Sequence, residues 1–146
     1  MSAQAAVAPA RAGFTEREYE FEPRPAFRSA LVVDDNLDVA EMLATVLRCA
    51  RYTVSLAHSA SDALAMALSR HFDLVVSDIR LPGMSGHELV RVLRAMPEYR
   101  AIPIVAVTGL DTYDDRERSL EAGFSAHLRK PIDPSALVLA VSGVWH

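Results

Sequence analysis

Three carboxylates, one hydroxyl and one amine are the residues of this 146-residue chain that could do chemistry together. Asp34 and Asp35 follow the apolar run Leu31-Val32-Val33. Asp78 stands at the end of Leu74-Val75-Val76-Ser77, Thr108 ends the run from Ile102 to Val107, and Lys130 follows Phe124-Ser125-Ala126-His127-Leu128. Clustered carboxylates repel one another unless a cation neutralises them. An all-oxygen ligand set suits a hard divalent ion, and Mg²⁺ is usually held by one or two carboxylates with waters and phosphate oxygens. The chain has one cysteine, and its five histidines show no paired metal spacing, which argues against zinc. A carboxylate left free beside the ion can attack phosphorus and form an aspartyl phosphate. Phosphoryl transfer then needs in-line positioning and charge neutralisation, which Mg²⁺, Lys130 and the Thr108 hydroxyl could supply. Taken singly, each residue has a plainer reading. Asp78 could cap a turn, Asp35 could cap a helix, Thr108 could sit in a turn and Lys130 could be solvated. Two consecutive aspartates exceed what a cap requires, and the plain readings together need several coincidences on one edge.

That edge is the product of the elements between these residues. Leu31-Val32-Val33 reads as a short buried strand, and Asp34-Asp35-Asn36 ends it and caps a helix. Val39, Met42, Leu43, Val46 and Leu47 give that helix one apolar face. Thr53-Val54-Ser55-Leu56 is a second strand. Ser59 with Asp62 starts a second helix whose buried stripe is Ala60, Ala63, Leu64, Ala67 and Leu68. After the Asp78 strand, Ser85 with Glu88 forms a capping box. The inner face of the third helix is Leu89, Val92, Leu93 and Met96, and Pro97 favours a stop. Thr112 with Asp115 starts a fourth helix and Gly123 ends it. Its charged positions leave mainly Tyr113, Leu120 and Ala122 to bury, so it should be loosely held. Asp133 caps the last helix, with Pro134 at its first position. Five short apolar strands alternating with helices imply a parallel α/β sheet covered on both faces. In such a sheet the carboxyl ends of all strands share one edge, where ligands bind.

Composition sets the bounds. One domain with a real core fits this length, and 51% apolar with 23% charged residues is ordinary for a soluble globular chain. A net charge of −4 argues against wrapping nucleic acid by charge. Cys49 cannot form an intramolecular disulfide and reads as buried filler on the first helix. No apolar run reaches the ~20 residues of a membrane span, and no signal peptide is evident, so a cytoplasmic protein is expected. Residues 1–29 read as a flexible extension before a domain over 30–146. The extension carries more aromatics than a linker needs: Phe14, Tyr19, Phe21 and Phe27.

These motifs together resemble the receiver (response-regulator) domain family of two-component signalling. The resemblance rests on Val33-Asp34-Asp35-Asn36, on Ser77-Asp78-Ile79-Arg80-Leu81-Pro82-Gly83-Met84-Ser85-Gly86, on Val107-Thr108-Gly109, on Ala122-Gly123-Phe124 and on Lys130-Pro131-Ile132, in order from about Ala30 to the C-terminus. It implies a flavodoxin-like (βα)5 fold with strand order 2-1-3-4-5. It implies phosphorylation of Asp78 by a partner histidine kinase or phosphotransfer protein. Mg²⁺ would be held by Asp35, Asp78 and the Arg80 backbone carbonyl, with Asp34 supporting through water. Thr108 and Lys130 would contact the phosphoryl group, and the Lys130–Pro131 bond would be cis. The surface of helix 4, strand 5 and helix 5 would then change to regulate a downstream protein.

Two departures from the family stand out. Its members usually carry Tyr or Phe three residues before the lysine, where this chain has His127. His127 is either a weaker or pH-dependent version of that ring or a surface histidine with no such role. No effector follows Pro134, which fits a stand-alone receiver, a phosphate sink or the receiver part of a hybrid kinase, without direct DNA binding. The last helix carries no charge from Pro134 to Trp145, and its outer face could meet a second copy as a homodimer, a partner or the aromatic extension. Two other functions fit the sequence less well. A phosphohydrolase resembling the haloacid dehalogenases would need a second Asp two residues after the nucleophile, where Arg80 stands. A nucleotide- or flavin-binding protein would need a phosphate-cradling loop where Asp34-Asp35-Asn36 stands. The reading is therefore a signalling switch and not an enzyme.

Overall fold

The computed structural model describes residues 27–109 and 113–143. Strands β1 (Arg28–Val33), β2 (Tyr52–Ala57), β3 (Leu74–Asp78), β4 (Ile104–Thr108) and β5 (Ala126–Arg129) alternate with helices. These are α1 (Leu37–Cys49), α2 (Ala60–Ser69), α3 (Gly86–Ala95), α4 (Tyr113–Ala122) and α5 (Pro134–Gly143), with a 3₁₀ turn at Pro97–Tyr99. The strands form one sheet in the order β2-β1-β3-β4-β5, all pairs parallel, as the sequence implied. β1 begins at Arg28, slightly earlier than the apolar run. Most of the N-terminal extension and the Thr112 cap lie outside the described residues. Among the described residues no helix is long and apolar enough to cross a membrane.

Alternation along the strands makes two apolar layers. Leu31, Val33, Val75, Ile104 and Ala106 face α2, α3 and α4, while Ala30, Val32, Leu74, Val76, Val105 and Val107 face α1 and α5. With β1, β3 and β4 flanked on both faces, neither side of the sheet's centre is left to water. Leu43 and Leu47 of α1, Leu89 and Leu93 of α3 and Leu137 of α5 are fully buried. Each contributes about 2 kcal/mol by leaving water.

Several single positions depart from the helical stripes. Leu68 was expected in the buried stripe of α2 but is 72% exposed, because Ala60, Ala63 and Ala67 take the face toward the sheet. Val92 of α3 is more than a third exposed, and Val90 is buried in its place with Leu89 and Leu93. Among the described side chains of α4, Ser119 and Ala122 are buried and Leu120 is 56% exposed; the Tyr113 side chain lies outside them. Cys49 is exposed, against the expectation of buried filler. It is the last residue of α1 and lies off the Leu43–Leu47 face. The uncharged α5 buries Leu137 and Val141 but leaves Val138 and Leu139 exposed.

The sheet's amino-terminal edge is held by one side chain. Arg94, at the end of α3, donates from Nε to the Gly123 carbonyl at 2.9 Å. From Nη1 it reaches the carbonyls of Tyr99 (2.9 Å), Arg100 (3.4 Å) and Ile102 (2.6 Å), and from Nη2 the Ser125 hydroxyl (3.2 Å). Gly123 makes room for it. Its φ is +123°, and a Cβ there would lie 2.9 Å from Arg94 Cγ. Arg94→Ala should lower stability by about 2–3 kcal/mol, since several carbonyls lose a charged donor together. Arg94→Lys should recover only part of this, because a single ammonium cannot span the fork. Urea unfolding checks this through a lowered midpoint at unchanged slope.

Candidate functional site

The carboxyl edge of the sheet gathers the residues singled out by the sequence. β1 ends at Val33, and the Asp34 amide still donates to the Ala57 carbonyl at 3.1 Å. Asn36, not Asp35, caps α1: its Oδ1 accepts from the Val39 amide at 3.1 Å. Asp34 Oδ1 accepts from the Asn36 amide at 2.9 Å, which fixes the turn. Asp34 is fully buried, and Asp35 is exposed beside it. His58, just after β2, brings Nδ1 within 3.2 Å of the Asp34 carbonyl, a contact that strand pattern alone did not suggest.

Asp78 closes β3 in register with Val107 of β4. Its Oδ1 accepts from the Arg80 amide at 3.2 Å. The chain then turns through Gly83 and re-enters at Gly86, whose amide donates to the Ile79 carbonyl at 2.8 Å. A Cβ on Gly86 would lie within 2.8 Å of Ile79 Cα and closer still to the Asp78 carbonyl oxygen. Only glycine lets the first turn of α3 sit this near the Asp78 backbone. Ser85 and Glu88 form the expected reciprocal capping box immediately before it.

Thr108 ends β4, fully buried, and its carbonyl accepts from the Lys130 amide at 2.7 Å. The Lys130–Pro131 peptide bond is cis. Lys130 Nζ donates to Asp78 Oδ2 at 3.0 Å and lies 3.2 Å from Asp34 Oδ2. The second approach is out of line for a hydrogen bond, so buried Asp34 Oδ2 accepts none from the described residues. Oxygens of Asp34, Asp35 and Asp78 all lie within 4.8 Å of one another. The predicted set therefore converges. A buried carboxylate oxygen whose partner is the Lys130 ammonium alone and an all-oxygen donor set fit a hard divalent cation.

The electrostatics follow from this crowding. Burial raises the Asp78 pKa above its ordinary value. The Lys130 hydrogen bond opposes that shift and the Asp34 charge adds to it. For Lys130, burial works against the ammonium. The hydrogen bond to Asp78 and the charges of Asp78 and Asp34 outweigh it, and its pKa is raised.

His127 lies on β5 opposite Ala106. Its neighbours Ala126 and Leu128 pack toward α1 and α5, so His127 faces the α4 side. Both of its ring nitrogens are buried without a hydrogen-bond partner. It is therefore not a freely solvated surface histidine. An imidazole always carries at least one N–H, and leaving that donor buried and unpaired has a cost. His127→Phe, which removes the donor and keeps a ring, should stabilise the protein by about 1 kcal/mol in urea unfolding.

A family model described as the response regulator receiver domain matches residues 30–142. The response regulator PleD of Caulobacter vibrioides is 40% identical over 111 residues, 76% of this chain and 24% of PleD. The polar-differentiation response regulator DivK of Brucella ovis is 33% identical over 105 residues, 72% of this chain and 85% of DivK. Among solved structures, the chemotaxis response regulator CheY4 of Vibrio cholerae has a TM-score of 0.77 at 30% identity, over 81% of this chain and 98% of CheY4. With this match over most of its length and its five parallel strands in the order 2-1-3-4-5, the chain belongs to the response regulator receiver domain family of two-component signalling.

Proposed function

We propose that this chain is a phosphorelay switch that accepts a phosphoryl group on Asp78 from a phosphohistidine of a sensor kinase or phosphotransfer protein. One observation carries the reading: three carboxylates within 4.8 Å of one another share the sheet edge with an ammonium 3.0 Å from Asp78. A carboxylate oxygen of Asp78 attacks phosphorus in line. The P–N bond breaks, its electron pair stays on the donor imidazole, and an acyl phosphate forms on Asp78. Lys130 then exchanges its bond to Asp78 Oδ2 for one to a phosphoryl oxygen, and the Thr108 hydroxyl, at the end of the neighbouring strand, donates to another.

Asp34, Asp35 and Asp78 with the Arg80 backbone carbonyl would hold Mg²⁺, which when bound offsets the charge of the carboxylates and the incoming phosphoryl oxygens. The hydrogen bond from the Arg80 amide to Asp78 supports this, because it keeps the residue-80 backbone at the carboxylate. Arg80 also stands where a hydrolase of this chemistry would place its proton donor, which favours a switch over a turnover enzyme. The readout surface in this reading is α4, β5 and α5. There the exposed Leu120, Val138 and Leu139 support a downstream protein, or a second copy meeting α5, as the partner. The setting in this reading is cytoplasmic, and direct DNA binding has no part in it.

Incubation with acetyl phosphate and Mg²⁺ should add one phosphate, acid-stable and base-labile, seen by intact mass. Asp78→Ala should abolish it, and Lys130→Ala should slow it by about 10²-fold. An adduct that survives Asp78→Ala would sink the assignment.

A second outcome follows from the raised pKa of Asp78. A carboxyl whose pKa is higher folded than unfolded binds its proton more tightly when folded. Ionising Asp78 therefore costs stability in the absence of a divalent cation, and acidification through its folded pKa toward 3.8 recovers that stability. In chelator at neutral pH, Asp78→Asn should raise Tm by a few degrees, and the gap to wild type should close as pH falls through that interval. Mg²⁺ should stabilise wild type more than Asp78→Asn, in proportion to its occupancy.

A further inference from the structure

A groove lies on the opposite, amino-terminal edge of the sheet, between the end of α2 and the 3₁₀ turn. Its volume is about 180 Å³. Ala67, Leu68 and Met96 supply apolar surface, and the stacked rings of His71 and Tyr99, centroids 5.2 Å apart, form a wall. The Tyr99 hydroxyl is already engaged with the Phe72 amide and the carbonyls of Ala67 and Arg70, so the wall is rigid. Leu68 stands 72% exposed at this groove, the one leucine of α2 that the sheet does not cover. Arg70 and Glu98 are the charged lining residues. The Arg70 guanidinium lies over the Phe72 ring at 4.8 Å and donates to the Ser55 hydroxyl.

The chain enters the domain beside this groove. The Ser29 amide donates to Asp73 Oδ2 at 2.8 Å, and the Ser29 hydroxyl lies 3.3 Å from the carbonyl of His71. Residues 1–26 are thus tethered two or three residues from a groove wall. Within them, Glu16-Arg17-Glu18-Tyr19-Glu20-Phe21-Glu22 carries four carboxylates interleaved with two rings.

We infer that this groove receives segment 16–22 of the same chain, with the Phe21 ring seated against Met96 and Leu68 and a flanking glutamate on Arg70. Four observations carry it. A cavity of about 150 Å³ accommodates a benzene-sized ring, so this groove has room for one aromatic side chain. Five residues separate Phe21 from Phe27, and the six extended steps between them reach ~20 Å, ample for a groove whose wall is bonded to Ser29. A thioether and stacked rings favour an aromatic guest. The segment's carboxylates suit Arg70, which has no carboxylate partner among the described residues; the exposed Glu98 sets which side of the ring they occupy. Phe21 suits the cavity better than Tyr19, whose hydroxyl would need a partner where Tyr99 has none to spare. The outer face of α5 offers two exposed aliphatic side chains, Val138 and Leu139. The groove and Asp78 sit at opposite strand ends, so the docked segment leaves the acidic edge open.

Methyl NMR on the full chain tests this. Phe21→Ser should shift the methyl signals of Ala67, Leu68 and Met96. A nitroxide at residue 20, introduced by Glu20→Cys in a Cys49→Ser background, should broaden the same signals at least twofold. Leu68→Asp, a change at an exposed position, should remove most of that broadening. Unchanged groove signals in Phe21→Ser would overturn the inference. So would broadening centred on Val138 and Leu139, which would place the segment on α5. So would broadening of a labelled, nitroxide-free chain mixed with unlabelled nitroxide-bearing chain, since the guest would then come from a second copy.

Discussion

An ammonium held between two buried carboxylates is the constraint on which the rest of this domain turns. Lys130 reaches Asp78 at 3.0 Å and Asp34 at 3.2 Å, and neither carboxylate could be taken so far from water without it. One cation does not balance three clustered carboxylates, and the Asp78 pKa is raised first by burial and then by the charge of Asp34, against the pull of Lys130. A site poised this way gains from any further positive charge. It also resists an anion that arrives without one, because Asp34-Asp35 faces the newcomer with negative charge. The burial that makes the cluster costly also gives its charges their reach, since low dielectric strengthens what remains.

Building such a cluster is a problem of topology before it is one of chemistry. The three partners of the ion pair lie on β1, β3 and β5, the first and third adjacent and the last two strands away. Parallel pairing brings their carboxyl ends to one edge, and β4 between β3 and β5 supplies Thr108 at the same level. The connections then fix the height of each group. Asn36 takes over the cap of α1, which leaves both aspartates free for other work. Gly86 lets α3 close down on the Asp78 backbone, where any side chain would push the helix away. The acidic edge is thus held from both sides by backbone hydrogen bonds, and its geometry does not depend on the exposed faces of the helices.

Much of this was legible in the sequence because the strands are short and apolar, and four of the five run into Asp, Thr or Lys. A buried run followed by Asp, Thr or Lys has few explanations. The helix interiors were less legible, and the reason is physical. Helical periodicity marks an arc about 100° wide, and where two apolar residues fall near its border only the neighbouring element decides which one goes in. Ala67 outcompeted Leu68 because α2 lies close to the sheet and a small residue permits that approach. Val90 and Val92 are the same residue type, and only their angle on α3 relative to Leu89 and Leu93 puts the first inside. Arg94 carried no local signal, since its partners at 99–102 and 123–125 come together only in the fold. The unpartnered nitrogens of His127 were equally hidden, because a strand pattern gives the face of a residue but not what waits there.

The α4 side of the domain shows how a rigid site and a yielding surface can share one sheet. Among the described side chains of α4, Ser119 and Ala122 are buried, and both are small, while Leu120 is more than half exposed. A polar contact adds to this: the His87 ring nitrogen lies 3.4 Å from the Ser119 hydroxyl, linking α4 to α3. The described side chains of α4 bury little apolar area, and elements held in that way belong to the low end of a protein's local stabilities. Beneath it sits His127, a ring whose donor is not satisfied in its present place. The lysine that closes the acidic cluster lies three residues along the same strand, and its own amide is bonded to the Thr108 carbonyl. In the proposed switch, a change in charge at Asp78 would act on groups at the end of β4 and β5, next to α4. The interior of the sheet, buried on both faces, has no comparable freedom. A rearrangement beginning at the acidic edge would then meet less resistance at α4 than at α1, whose Leu43 and Leu47 are fully buried.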